Sequence, residues 1–187
     1  MEYKGIVISG LPGSGKSTIA RELSNILGWQ VHSIGRLFRE KWENESPHEE
    51  ISFEDYWSKI SREENILMNE KARKIIKKGF AIGDFRYAIC CSGLPVLFVY
   101  VKADIDIRTK RTKDIYKNES IAKIKEILLS REQEELRVAK DLYGINYDFR
   151  DETYYHLIID SGILTIKEEI EIILEYLKNA QNQNNYK

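Results

Sequence analysis

One nine-residue stretch, GLPGSGKST at positions 10–18, constrains this chain more than any other part of its sequence. The positions of Gly10, Gly15, Lys16 and Ser17 match a phosphate-binding loop, in which four residues separate a glycine from Gly-Lys-Ser/Thr. In such a loop backbone N–H groups surround a phosphate, the lysine reaches the β- and γ-phosphates, and the serine hydroxyl binds Mg²⁺. The predicted phosphate-binding residues are Gly10, Leu11, Pro12, Gly13, Ser14, Gly15, Lys16, Ser17 and Thr18, with Ser17 as the metal ligand.

The residues on either side of the loop predict the strand and the helix that this motif requires. Residues 5–9 contain a continuous β-branched run, which is typical of a strand buried on both faces. After Lys16 the apolar residues recur at helical spacing as far as Leu27, and Gly28 follows where a helix commonly ends. A glycine-rich turn that binds nothing is the alternative, and it leaves this agreement unexplained.

Short apolar runs alternate with helical patterns along the rest of the chain. The predicted strands occupy residues 5–9, 30–34, 80–84, 95–102 and 155–160. Helices predicted over residues 61–78 and 165–177 begin with capping boxes. This order predicts an α/β fold, with a five-stranded parallel sheet covered by helices on both faces. We expect one domain over residues 1–178 and a disordered polar tail over residues 179–187.

Charged residues follow several of the predicted strands, where an open parallel sheet binds its ligands. These residues are Arg36 and Arg39 after the second strand, Asp84 and Arg86 after the third, Arg108 and Arg111 after the fourth, and Arg131 and Arg137 beyond them. Arginines that neutralise phosphoryl oxygens and a carboxylate near a metal ion are the equipment of phosphoryl transfer. Taken singly, each arginine also fits a solvated surface position, and Arg131 fits an ion pair with Glu135.

Nearly the whole chain resembles the nucleoside monophosphate kinases, and among them the compact archaeal-type cytidylate kinases. The resemblance runs from GLPGSGKSTIAREL through SIGRLFRE and DFR to SREQEEL, LYGINY and LIIDS. It implies a P-loop kinase that uses ATP and Mg²⁺ to phosphorylate a pyrimidine monophosphate, with CMP or dCMP favoured. It also implies a helical acceptor-binding insertion over residues 36–78 and a short helical lid over residues 113–131.

The resemblance assigns roles to individual side chains. It implies catalytic roles for Lys16, Arg131 and Asp84, acceptor binding by Ser33, Arg39 and Arg86, and lid roles for Arg108, Arg111 and Arg137. Three positions depart from the family pattern. Phe85 replaces a glycine and is expected to face the acceptor pocket, Arg36 replaces a small or acidic residue, and Val138-Ala139 replaces an Arg-Tyr type pair.

Two other functions remain open at this stage. A kinase for a small hydroxylated metabolite would keep the same loop and would need a base for the hydroxyl proton, a role that Asp84 could fill. A nucleotide-binding regulator would need the loop but no arginines for an acceptor.

Composition narrows the class of protein. A chain of 187 residues is about one domain, and its formal net charge of −1 gives no general attraction to nucleic acid. The sequence shows neither a run of about 20 apolar residues nor a basic leader, so no membrane partner is expected. We therefore expect a cytoplasmic monomer with small-molecule nucleotide substrates. The adjacent Cys90 and Cys91 lack the spacing of metal ligands and are expected to be reduced.

Overall fold

The predicted strands pair in one parallel sheet in the order β2-β3-β1-β4-β5. The structure is a computed structural model that describes residues 3–45 and 53–182. Its strands are β1 Gly5–Gly10, β2 Gln30–Ser33, β3 Ala81–Asp84, β4 Val96–Lys102 and β5 Leu157–Asp160. Because all five strands run in the same direction, their carboxyl ends meet at one edge of the sheet, which we call the carboxyl edge.

Helices cover both faces of the sheet, as the alternating pattern predicts. They are α1 Lys16–Leu27, α2 Ile34–Glu45, α3 Phe53–Ser58, α4 Arg62–Lys77, α5 Ile105–Arg111, α6 Ile121–Tyr143 and α7 Ile166–Asn182. One apolar core joins the sheet to α1 and α7, and a second joins its other face to α2 and α4. Side chains on β1 contribute to both cores: Ile6 and Ile8 to the first, and Val7 to the second. Within the described ranges, no helix is both long enough and apolar enough to cross a membrane.

Helix ends follow the sequence closely, with one exception at the carboxyl terminus. Ser61 accepts from the backbone N–H of Glu64, and the Glu64 side chain accepts from the backbone N–H of Ser61, which completes the predicted capping box of α4. Helix α7 continues to Asn182, into the tail predicted to be disordered from residue 179. Residues 179–182 contain neither glycine nor proline to end the helix. Residues 183–187 lie outside the described ranges.

A third apolar cluster fixes α6 near the carboxyl edge. The cluster consists of Tyr87, Val138, Ala139, Tyr147 and Phe149. Val138 and Ala139, noted above as a departure from the expected pattern, are both buried here. They therefore contribute to the packing of α6.

Phe85 does not face a ligand pocket, so that expectation is wrong. Its side chain is buried in the core shared with α2 and α4, at 1% exposure. The backbone N–H of Phe85 donates to the Ile8 carbonyl and so extends the pairing beyond β3. The ring lies over Gly83, where a β-carbon would come within 2.5 Å of Phe85 Cε2. Gly83 therefore makes room for the Phe85 ring.

We predict that Gly83→Ala lowers the free energy of unfolding by about 1 to 3 kcal/mol, since the added methyl group overpacks the Phe85 ring. Chemical denaturation of the two purified proteins measures the difference. Gly35→Ala is the matched control, because a β-carbon there meets only Ser33 Oγ at 3.9 Å. The control variant should be neutral or slightly stabilised. Equal stability of Gly83→Ala and the parent would contradict the proposed packing.

Candidate active site

The loop between β1 and α1 has the backbone shape of a phosphate cradle. Gly10, Gly13 and Gly15 all have positive φ values, of 145°, 79° and 101°. At Gly10 a β-carbon would overlap the Val101 carbonyl oxygen of β4, so a side chain cannot be accommodated there. The first turn of α1 directs N–H groups without intrahelical partners toward this loop. Together with the positive end of the helix dipole, these groups form an anion-binding site.

Two polar side chains of the loop match this interpretation. Lys16 is the first residue of α1, and its Nζ donates to the Leu11 carbonyl at 2.8 Å. The ammonium group therefore folds back over the loop. The buried Ser14 Oγ has no hydrogen-bond partner among the described residues. An unsatisfied hydroxyl inside a cradle of N–H groups fits a loop built to receive oxygen atoms from a ligand.

The neighbouring strand places a carboxylate beside the loop. β1 pairs with β3 so that Ile8 lies level with Asp84. Asp84 is buried, and its Oδ2 accepts a hydrogen bond from Ser17 Oγ at 2.7 Å. A hydroxyl and a carboxylate in contact are hard oxygen ligands of the type that Mg²⁺ prefers. Ser33, at the end of β2, lies level with Asp84 on its other side.

The Ser17 hydroxyl and the Asp84 carboxylate fit a magnesium ion that takes most of its ligands from nucleotide phosphates and water. Within residues 3–45 and 53–182, no group of three or more His, Cys, Asp and Glu side chains could hold a metal ion. Mg²⁺ in kinase sites is commonly held by one or two protein oxygens together with phosphates and water. Ser17 and Asp84 supply that number.

Five charged side chains meet around the loop. Burial lowers the pKa of Lys16 to about 8, although the nearby carboxylates of Asp84 and Glu135 raise it. Arg86 and Arg131 are also close enough to lower this pKa. The structure thus brings together Lys16 at the start of α1, Asp84 and Arg86 at and after the end of β3, and Arg131 on α6. It adds Glu135, which the sequence had offered only as a surface partner for Arg131.

Arg86 is held between α6 and α3. Its Nη2 forms an ion pair with Glu135 Oε1 at 2.8 Å, and its guanidinium lies over the ring of Trp57, 4.6 Å from the centroid. Glu135 is on α6, and Trp57 is on α3. No sequence pattern indicated either contact, because both join residues far apart in the chain.

Arg131 lies one turn before Glu135 on α6. Its Nη1 donates to the Tyr116 hydroxyl at 3.1 Å, and Tyr116 lies in the segment over residues 112–120 that precedes α6. Both partners lie in the segment over residues 113–131 that is predicted to be a lid. The role of Arg131 on the phosphates stays a prediction.

Helix α2 carries the other predicted acceptor residue. Arg39 is exposed, with its helix starting directly after Ser33 at the carboxyl edge. Ser33 Oγ accepts from the backbone N–H of Arg36 at 3.3 Å. Arg36 itself is 80% exposed and pairs with Glu40 at 2.7 Å. Acceptor binding by Ser33 and Arg39 stays a prediction.

Two of the predicted lid arginines contact the phosphate-binding loop in this structure. The buried Arg108 donates to the carbonyls of Ala103 and Pro12, and it pairs with Glu132 of α6 at 3.2 Å. Arg111 donates to the Ser14 carbonyl at 3.2 Å, and its remaining hydrogen bonds go to Ser161. Both side chains thus brace the loop from α5.

The third predicted lid arginine lies farther along α6. Arg137 is 64% exposed and forms a surface pair with Glu134, at 2.7 Å from Nη2 to Oε1. Nothing in this arrangement directs Arg137 toward the loop. The lid roles of Arg108, Arg111 and Arg137 stay predictions.

Comparison with known proteins gives one consistent family. A protein-family model described as an AAA domain matches residues 9–128. The cytidylate kinase of Pyrobaculum islandicum is 32% identical over 179 residues, which cover 92% of this chain and 91% of the relative. The cytidylate kinase of Sulfurisphaera tokodaii is 33% identical over 180 residues, covering 92% of this chain and 94% of the relative.

Solved structures agree on the fold. A shikimate kinase from Acinetobacter baumannii, solved in complex with shikimate, superimposes with a TM-score of 0.59 over 95% of this chain and 94% of the kinase. Its sequence is 14% identical, so this similarity shows the fold alone.

The buried lysine predicts a pH-dependent stability. The pKa of Lys16 is lower in the folded protein, at about 8, than its ordinary value of 10.5. Between these values the unfolded chain binds more protons than the folded chain, so the free energy of unfolding rises with pH. Relative to Lys16→Met, the parent should gain about 1 to 3 kcal/mol between pH 7.5 and 10.5, allowing for partial exposure.

Denaturation of both nucleotide-free proteins at pH 7.5, 9 and 10.5 measures this gain. Other titrating groups are common to the two proteins and cancel in the comparison. Lys140→Met removes an exposed lysine of α6 and should follow the parent at every pH. Parallel profiles for the parent and Lys16→Met would contradict the burial of this ammonium group.

Proposed function

This chain belongs to the P-loop kinase family that includes the archaeal cytidylate kinases, and from that membership we propose that it phosphorylates a pyrimidine nucleoside monophosphate. It is a phosphotransferase. The proposed reaction moves the γ-phosphoryl group of ATP to CMP or dCMP. The observation that carries the proposal is the meeting of Lys16, Arg86, Arg131 and Asp84 around the phosphate-binding loop. Two nucleotides bring many phosphate charges together, and three cations beside one loop fit that requirement.

The proposed mechanism relies on positioning and on charge neutralisation. The cradle and Lys16 would hold the β- and γ-phosphates of ATP. Ser17 and Asp84 would hold Mg²⁺, which when bound neutralises charge that develops on the transferred group. Arg86 and Arg39 would fix the phosphate of the acceptor, and Arg131 would approach the γ-phosphate from the lid.

No strong base is required for a monophosphate acceptor. Its attacking oxygen is already ionised at neutral pH, so alignment with the γ-phosphorus is sufficient. The Asp84 carboxylate in turn accepts a hydrogen bond from Ser17 and lies beside the lysine. This arrangement favours a role for Asp84 at the metal over a role as a base.

The fold alone is also compatible with a small hydroxylated acceptor, as the similarity to a shikimate kinase illustrates. The two cytidylate kinases are twice as similar in sequence, at 32% and 33% against 14% identity. Arg86 and Arg39 after adjacent strands also fit a phosphate on the acceptor. The monophosphate reading is therefore preferred.

A coupled assay of ADP formation across a panel of acceptors tests the proposal. The panel contains CMP, dCMP, UMP, AMP, GMP, shikimate and gluconate, each with ATP and Mg²⁺. We expect the highest kcat/KM with CMP or dCMP. A higher kcat/KM with shikimate or gluconate would overturn the proposal, as would ATP hydrolysis that no acceptor accelerates.

Arg39→Ala should weaken binding of the acceptor without affecting binding of ATP. Loss of a charge-assisted hydrogen bond to phosphate costs about 1.5 to 3 kcal/mol, which raises the KM for CMP roughly 10- to 150-fold. The KM for ATP should change by less than threefold. Arg36→Ala is the matched control, because it removes an exposed arginine of the same helix that already pairs with Glu40. Equal effects of Arg39→Ala on both nucleotides would remove Arg39 from the acceptor site.

Arg131→Lys should separate turnover from binding. A lysine keeps the charge but loses the planar fork, so kcat should fall at least tenfold while the affinity for ATP stays nearly unchanged. Arg131→Ala should lower kcat by roughly 10³ or more, as expected for an arginine finger. Lys140→Ala on the same helix controls for the loss of a surface charge. Turnover within threefold of the parent for both Arg131 variants would leave a surface role as the better account.

A further inference from the structure

Glu135 is a buried carboxylate for which the proposed chemistry has no direct use. Its side chain is 1% exposed and lies on α6, one turn beyond Arg131. The ion pair with Arg86 brings Oε1 within 2.8 Å of Nη2. Neither carboxylate oxygen makes a well-aligned hydrogen bond to a described residue, Arg86 included, and the buried Arg86 Nη1 has no partner among those residues either. Glu135 is therefore buried, Arg86 is 18% exposed, and the hydrogen-bonding capacity of the pair is only partly used.

Stability does not explain such a pair. Removing two charges from water is costly, and the attraction between them compensates fully only when the surrounding hydrogen bonds are complete. Well-packed apolar side chains of similar volume often serve a core equally well or better. A partly satisfied pair beside the active site therefore points to a role in function.

The surroundings of Arg86 show what the pair accomplishes. Glu135 holds the guanidinium from α6, and the Trp57 ring covers it from α3. Ser9 Oγ of β1 donates to the Arg86 carbonyl at 2.6 Å, which fixes the backbone. Nη2 is paired with Glu135 and the Trp57 ring covers one face, so the buried Nη1, which has no partner among the described residues, is the donor left for an oxygen of the acceptor. A guanidinium can use separate N–H groups for two acidic partners at once.

The contact between Arg86 and Glu135 also helps to fix the position of α6. The Tyr87 hydroxyl donates to the Glu135 backbone carbonyl at 2.8 Å, so residues 86 and 87 grip the same turn of α6. Arg131 lies one turn away, where its charge lowers the pKa of Lys16. The orientation of Arg86 and the position of Arg131 thus both depend on the turn of α6 that ends at Glu135.

We infer that Glu135 is a positioning residue. It orients Arg86 toward the phosphate of the acceptor and holds Arg86 at a fixed position relative to α6. This inference rests on the proposed function, in which Arg86 binds the acceptor phosphate. Glu135 stays paired when the acceptor binds, because a swing of Arg86 toward the ligand would leave a buried carboxylate without a partner. The acceptor phosphate therefore meets Nη1 of a guanidinium that is already oriented.

Two other roles for Glu135 predict different changes in acceptor affinity when its carboxylate is removed. If Glu135 occupied Arg86 as a substitute for the acceptor phosphate, its removal would free the arginine and tighten acceptor binding. If Glu135 only supported the fold, its removal would lower stability and change acceptor and ATP affinities alike. Affinity for the acceptor, measured without ATP, separates these possibilities.

The test is isothermal titration calorimetry of the full chain with CMP alone and with ATP alone. The variants are Glu135→Ala, Glu135→Gln, Arg86→Gln and the double variant Arg86→Gln/Glu135→Ala. Asp141→Asn is the matched control, since it removes one carboxylate charge from an exposed position of the same helix, where Asp141 pairs with Arg62 at 3.4 Å. Thermal unfolding verifies that each variant is folded.

We expect Glu135→Ala to weaken CMP binding at least tenfold and ATP binding less than threefold. Glu135→Gln should recover part of the loss, because its amide oxygen is an acceptor at the same position beside Arg86. The double variant should bind CMP no more weakly than Arg86→Gln, because Glu135 acts through Arg86. Asp141→Asn should match the parent. If Glu135→Ala is unfolded, Glu135→Gln alone carries the test, with a threefold or greater loss of CMP affinity expected.

Other outcomes overturn the inference in distinguishable ways. Unchanged or tighter CMP binding by both Glu135 variants, with weaker binding by Arg86→Gln, would overturn the role of Glu135 and leave the proposed function standing. Additive losses in the double variant would do the same. Normal CMP binding by Arg86→Gln would remove Arg86 from the acceptor site, and failure of the parent to bind CMP would overturn the proposed function together with this inference.

Discussion

The parallel pairing of β1 with β3 is the constraint on which the rest of the site depends. The two strands lie side by side although residues 11–80 separate them in sequence, because β2 takes the outer position in the sheet. Their register sets Ile8 level with Asp84, so the start of α1 and the end of β3 reach the same point. The hydrogen bond between Ser17 and Asp84 at 2.7 Å is the direct result. A shift of one residue would turn Asp84 to the opposite face of the sheet.

Charge at this point is concentrated and only partly balanced. Lys16, Arg86 and Arg131 share the space with the carboxylates of Asp84 and Glu135. Burial makes the charge of Lys16 more costly than it would be in water, and this cost lowers the pKa of its ammonium group. A polyanionic ligand relieves that cost, because it supplies the negative charge that the cations lack. This arrangement of charges therefore fits a protein that binds a polyanionic ligand.

Local sequence was sufficient to predict the elements but not their contacts. The turn between β1 and α1, the strands and the capping box at Ser61 depend on residues within a few positions of one another, and they lie close to their predicted positions. The burial of Phe85 depends on the space above Gly83 and on helices packed from elsewhere in the chain. The pair between Arg86 and Glu135 joins residues 49 positions apart. No periodicity or motif encodes such a distance.

The central claim is that this assembly transfers the γ-phosphoryl group of ATP to an acceptor monophosphate. The most direct measurement uses γ-³²P-labelled ATP with CMP and Mg²⁺ and separates the products by chromatography. The account predicts that the label leaves ATP and is recovered in CDP, at a rate that depends on the CMP concentration. Recovery of the label only as inorganic phosphate, at a rate indifferent to CMP and to every other monophosphate, would contradict it.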